Sequence, residues 1–216
     1  MNRGTQHSIW ILLSALCAWL VPCYAQKWEL APIRTYWRVS PKPLGSINET
    51  KATREDDDTL LRGGAAWGAR LTWNTPGYYG HEFGFVRAYG NLRSRIVVNE
   101  VKQTFESRIF VDTFFYNFLI YFMPRDERWR PYMTGGLQAH RYGDPGWEEW
   151  DRGSSRKWGV NYGAGIKLMP AKHFLIRLDV RDYIAGGPYD LQFKEETKFG
   201  TILRNQEFSV GIAFGF

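Results

Sequence analysis

From Lys157 to Met169 the residues change character at every step, with Trp158, Val160, Tyr162, Ala164, Ile166 and Leu168 set against Gly159, Asn161, Gly163, Gly165 and Lys167. A period of two sustained over this length predicts an extended strand, because successive side chains of a strand point to opposite faces. Only Pro170-Ala171-Lys172 separates it from a second such run, where Phe174, Ile176, Leu178 and Val180 alternate with Leu175, Arg177, Asp179 and Arg181. A third run closes the sequence, with Phe208, Val210, Ile212, Phe214 and Phe216 against Glu207, Ser209, Gly211, Ala213 and Gly215.

Five further segments follow the same template. Gly64 to Asn74 sets Trp67, Ala69, Leu71 and Trp73 opposite Ala66, Gly68, Arg70 and Thr72, and Tyr79 to Tyr89 sets Phe83 and Phe85 opposite Glu82 and Gly84. Between Gln103 and Phe122, taking Phe110, Phe114, Tyr116, Phe118, Ile120 and Phe122 as outward leaves Asn117 inward. Pro131 to Tyr142 sets Met133, Leu137 and Ala139 against Thr134, Gly136, Gln138 and His140. In Trp28 to Ser40 the apolar set is Ile33, Trp37 and Val39 against Arg34, Tyr36 and Arg38, and the pattern alone does not decide which set faces out.

The eight segments are joined by connections of alternating length. Those at 74–79, 123–130 and 169–172 are short, and those at 41–62, 90–102, 143–156 and 185–203 are long. Short turns at one end and long loops at the other are the arrangement of an all-β, eight-stranded, antiparallel up-and-down transmembrane barrel.

The N-terminus carries Arg3, an apolar stretch from Ile9 to Val21 and the small-residue site Cys23-Tyr24-Ala25, which predicts a cleaved secretory signal at 1–25 and one barrel domain at 26–216. The apolar stretch is shorter than the roughly 20 residues a spanning helix requires. Both cysteines, Cys17 and Cys23, fall before the predicted cut, so the exported chain has no thiol for a disulfide or a metal. Removing residues 1–25 takes Arg3 from the 28 basic residues, leaving 27 against 22 acids. For an exported protein this excess favours lipopolysaccharide phosphate over nucleic acid as the anion met.

A soluble lipocalin-like carrier would alternate too, but its apolar face would point inward to a ligand. Here the polar face interleaves glycines with Arg70, Glu82, Gln138, His140, Asn161, Lys167, Arg177, Asp179, Arg181 and Glu207, which suits a narrow lumen filled by paired charges, not a greasy pocket. The aromatic content of 17% fits interfacial girdles, with Trp67, Trp73, Tyr78 and Tyr79 on one hairpin and Phe122, Trp129 and Tyr132 on another.

Through Arg130-Pro131-Tyr132, Asn161-Tyr162-Gly163-Ala164-Gly165-Ile166, Arg177-Leu178-Asp179-Val180-Arg181 and the terminal Phe216, the chain resembles the OmpA/OmpX-like outer-membrane barrel domains. The resemblance implies a bacterial outer-membrane location and recognition of Phe216 by the barrel-assembly machinery. It implies a structural or surface-interaction role such as adhesion or envelope integrity, with a narrow passive pore as the alternative. No peptidoglycan-binding domain is expected after Phe216.

Some barrels of this size modify lipid A with a serine activated by histidine. After the signal the histidines are His81, His140 and His173, and the residues two positions on are Phe83, Tyr142 and Leu175, so the His-x-Ser pair of the deacylases is absent. The chain is therefore expected to be non-enzymatic, without cofactor or metal, with a lipid A-modifying enzyme using His140 as a further alternative. The run Glu55-Asp56-Asp57-Asp58 reads as a solvated acidic stretch or a hard-cation site. Trp147 and Trp150, flanking acids in the third long loop, either grip an outside ligand or fold back on the rim, and Arg87, Arg93 and Arg95 are placed to meet lipid A phosphates.

Overall fold

The computed structural model describes residues 27–45, 59–98, 101–125, 127–148, 150, 153–191 and 202–216. The predicted signal and the acidic run at 55–58 lie outside the described residues. The strands are β1 (Trp28–Val39), β2 (Thr59–Arg62), β3 (Gly64–Asn74), β4 (Tyr79–Val98), β5 (Val101–Tyr121), β6 (Trp129–Tyr142), β7 (Ser155–Ala171), β8 (Phe174–Gly186) and β9 (Ile202–Gly215). All pair antiparallel in the order β2-β4-β3-β1-β9-β8-β7-β6-β5, and β5 returns to β4, closing the sheet into a barrel.

Eight of these strands make the wall. The short β2 continues β3 along the same neighbour: Arg62 pairs with Asn91 and Ala66 with Ala88, so Gly63, Gly64 and Ala65 stand against only Tyr89 and Gly90. This β-bulge flips the facing, and odd-numbered residues point inward in β2 but outward in β3. Following partners around the wall from Ile166 through Leu178, Val210, Arg34, Trp67, Arg87, Asp112 and Arg141 returns to β7 at Arg156, ten residues up the same strand. A stagger of that size goes with strands tilted by roughly 35–45° to the barrel axis.

The alternation has the facing expected for β3 to β9. Phe83, Phe114, Leu137, Val180 and Phe214 are all more than half exposed, and Trp158 is 78% exposed. Apolar side chains of this size, displayed around the whole circumference, exceed what a soluble monomer shows to water and match a lipid-facing belt. At the end of the barrel with the short turns, Trp28 stacks on Trp73 (centroids 5.9 Å apart) and Tyr79 on Phe118 (5.6 Å), the start of an aromatic girdle.

The facing left open in β1 is decided, and two expectations need correction. In β1 it is Ile33, Trp37 and Val39 that are buried, while Arg34, Tyr36 and Arg38 face out. Trp37 packs over Gly90 and beside Leu61, an aromatic filling the lumen where a neighbouring strand offers glycine. Tyr132, assigned to the girdle, is 1% exposed and points into the lumen. Much of the connection expected at 90–102 is strand: β4 runs to Val98 and β5 starts at Val101, paired residue by residue down to Val98↔Val101. With β2 on the other edge of β4, this hairpin forms a three-stranded sheet rising beyond the point where β6 leaves β5 at Tyr142↔Val111.

Candidate functional site

The barrel interior is built in storeys, described from the short-turn end. Lys167 Nζ donates to Glu29 Oε2 at 2.5 Å and to the Tyr121 hydroxyl at 2.7 Å. Asn74 donates to Glu29 at 2.6 Å and accepts from Tyr121 at 2.7 Å, and the Arg130 guanidinium lies 3.6 Å above the Tyr121 ring.

The second storey holds six charges in balance, Arg70, Arg177 and Arg181 against Glu82, Asp179 and Glu207, none more than 4% exposed. Asp179 is the hub. It pairs with Arg70 at 2.6 Å, Arg177 at 3.1 Å and Arg181 at 3.4 Å, and it accepts from the Tyr132 hydroxyl. Glu82 bridges Arg177 (2.8 Å) and Arg181 (2.6 Å) and accepts from Thr72, while Glu207 pairs with Arg70 and accepts from Tyr183 at 3.0 Å. Six charges this far from water persist because every one is shared among several partners.

Two glycines make room for the aromatic members. Gly165 pairs across strands with Tyr132, and a Cβ there would lie 2.5 Å from the tyrosine hydroxyl oxygen; Gly84 pairs with Phe115, where a Cβ would lie 2.1 Å from the ring. Gly165→Val should therefore displace Tyr132 from Asp179 and lower stability by roughly 1–3 kcal/mol, read by urea unfolding in lipid vesicles. Tolerance without loss would mean that the ring does not occupy this seat.

Higher still the polarity fades. The Asn117 and Asn161 amides meet at 2.7 Å, His140 Nδ1 is 2.8 Å from the Thr113 hydroxyl, and its Nε2 is 3.3 Å from Gln138. Above them Trp37, Val86, Val111, Tyr142, Tyr189 and Leu203 pack together, so the outer lumen is apolar and the salt-bridged filling expected throughout occupies only the other half. Tyr189, in a single 3-10 turn (Pro188–Asp190), has φ 67°, an uncommon left-handed conformation for a non-glycine residue, and its hydroxyl donates to the Gly143 carbonyl at 2.6 Å. Of the two loop tryptophans read either as a surface contact or as folded on the rim, Trp150 is 6% exposed and stands edge-on to Tyr189 at 4.7 Å, and Trp147 is half-buried against Trp150 and Phe105. These tryptophans fold back on the rim.

The ten residues expected in the lumen network all have places there. Thr72, placed by the sequence on the same face as Arg70, joins them; Glu29, Asn74, Tyr121, Tyr132 and Tyr183 were missed, although Asn74 and Tyr121 stand in phase with an inward face. His81 is on the lipid side, 2.8 Å from the Tyr116 hydroxyl, and His173 lies 3.0 Å from the Gly215 carbonyl. Among the described residues no three His, Cys, Asp or Glu side chains gather as a metal site. Phe216 lies on the outward face, tied by its N–H to the Trp28 carbonyl at 2.9 Å.

A closed barrel with a charged, filled interior and an apolar, girdled exterior is a membrane-spanning barrel of the small eight-stranded outer-membrane class, and its place is the bacterial outer membrane. The fold is shared with the outer membrane protein AlkL (TM-score 0.56, 14% identity, covering 89% of this chain and 92% of that one). It is shared also with Ail, the attachment invasion locus protein of Yersinia pestis, in complex with the heparin analogue sucrose octasulfate (0.52, 10%, 88% and 98%), and with OprG from Pseudomonas aeruginosa (0.51, 12%, 91% and 99%). No protein-family model matches the sequence, and no curated protein does.

Proposed function

We propose that the chain is a non-enzymatic outer-membrane barrel whose filled lumen makes it a rigid pillar for a contact surface outside the cell. The observation that carries this reading is the continuation of the wall beyond the membrane as the β2–β4–β5 sheet, above an interior closed by six interlocked charges and an aromatic cap. Surrounding lipid and lipopolysaccharide bathe the belt, and Phe216 presents the final strand to the barrel-assembly machinery. Arg62, Arg93, Arg95 and Arg108 face outward on this sheet with Glu106, so an anionic surface polysaccharide is the partner its charge fits. That Ail takes a sulfated heparin analogue supports the same chemistry.

The test shortens the hairpin by replacing residues 92–107 with a two-residue turn. The shortened barrel should keep its heat-modifiable gel mobility and lose retention on a sulfated-polysaccharide column, while neither protein gives conductance steps in a planar bilayer. Unchanged retention would overturn the contact surface, and steps with the intact chain would make it a narrow pore.

A further inference from the structure

The lipid-facing belt is notched on one side of the barrel. Read from the short-turn end, the outward residues of β9 are apolar through Phe208 and then meet Gln206 and Arg204; those of β8 are apolar through Val180 and then meet Asp182. On β1 only Trp28, Leu30 and Pro32 precede Arg34, Tyr36 and Arg38. Cross-strand pairing lines up Tyr162, Asp182, Gln206 and Arg38 as one polar row over four strands. Arg204 reaches back to the Asp182 carboxylate and donates to the Tyr162 hydroxyl at 3.1 Å, which fixes its guanidinium in place. Beside it a cleft of about 180 Å³ is lined by Arg38, Ser40, Pro41, Arg204 and Gln206.

Two strands from β1, in line with Arg34 through Trp67, the arrangement differs. Arg87 forms a two-pronged pair with Asp112 (2.6 and 2.7 Å), so its charge is already met, and Arg93 and Arg95 stand on the hairpin, further from the lipid. The phosphate contacts expected at those three residues are better served at the notch, because Arg204, itself paired with Asp182, has Arg34 and Arg38 on the neighbouring strand β1.

We propose that the cleft between Arg38 and Arg204 binds a phosphate group of lipid A in the outer leaflet. Its depth at the outer edge of the apolar belt places the guanidinium groups at headgroup level, with acyl chains lying along Phe208, Val210 and Val180 below. A second copy of the chain is a poorer occupant, because a symmetric contact through this patch would set arginine against arginine. The inference rests on the membrane location and not on the surface-contact reading.

The full-length protein, purified in mild detergent from a Gram-negative host and inserted in nanodiscs, is titrated with bis-phosphorylated lipid A, with its dephosphorylated form and with phosphatidylglycerol, binding being followed by native mass spectrometry. Arg38→Gln combined with Arg204→Gln should weaken lipid A binding at least tenfold while leaving heat-modifiable mobility unchanged. Dephosphorylated lipid A should bind both proteins equally and weakly. The proposal is overturned if the double variant keeps its affinity, if phosphatidylglycerol binds as tightly as lipid A, or if Arg141→Gln with Arg156→Gln abolishes binding instead. Arg38→Lys with Arg204→Lys should retain part of the affinity, a recovery that a fold defect would not give.

Discussion

Asp179→Ala lowers the unfolding free energy of the lipid-embedded barrel by roughly 3–5 kcal/mol, the scale on which removing one partner strands buried charge. Asp179 receives three arginines and a tyrosine, and without it Arg70, Arg177 and Arg181 face only Glu82 and Glu207. The surplus positive charge has no solvent to relax into. Tryptophan fluorescence during urea unfolding in vesicles measures the loss. The sharper readout is a second deletion: Arg70→Met added to Asp179→Leu restores the balance of charge, and the double variant should regain at least half of what Asp179→Leu alone loses. Simple additivity of the two costs would show that the storey is not one coupled network.

Ile166→Arg acts on the other face of the same wall. Ile166 sits outward between Pro131 and Leu178, with Ala164, Val180 and Val210 around it. An arginine there enters hydrocarbon near the midplane of the belt, at a cost of roughly 2–4 kcal/mol measured for such positions in membrane barrels. The same unfolding assay reads it, and Trp158→Arg, nearer the outer edge of β7, should cost much less. Equal tolerance at both sites would remove the depth dependence that a lipid belt imposes.

What could be read from the chain was whatever alternates between lipid and lumen. β7, β8 and β9 carry apolar residues on one face and glycine or charge on the other, and their facing follows from the residues alone. β1 carries no such contrast: Trp37 fills the apolar upper lumen and Ile33 packs inward over Gly211 beside Arg177, while Arg34 and Arg38 lie outside at the notch, so period two is present but its sign is not. The outer halves of β4 and β5 were unreadable for a related reason. Arg93, Arg95, Thr104 and Glu106 face water, not lipid, and a strand leaving the membrane loses the apolar residues that announced it. The charged residues of the interior were visible as candidates, but their grouping was not. Asp179 meets Arg70 only because β8 and β3, separated by β9 and β1, face one another across the lumen.

The bulge at Gly63 divides the second wall strand into two segments of opposite phase. Below it, any inserted or deleted residue would swap lipid side for lumen side along the whole of β3. Above it, the slip has already been absorbed, and β2 takes its register from β4, with one further bond from the Leu44 N–H to the Thr59 carbonyl. The outer sheet is thereby a separately editable part: foreign sequence grafted ahead of Thr59 can vary in length without disturbing the span beneath, which makes this edge the natural place to display a peptide on a bacterial surface.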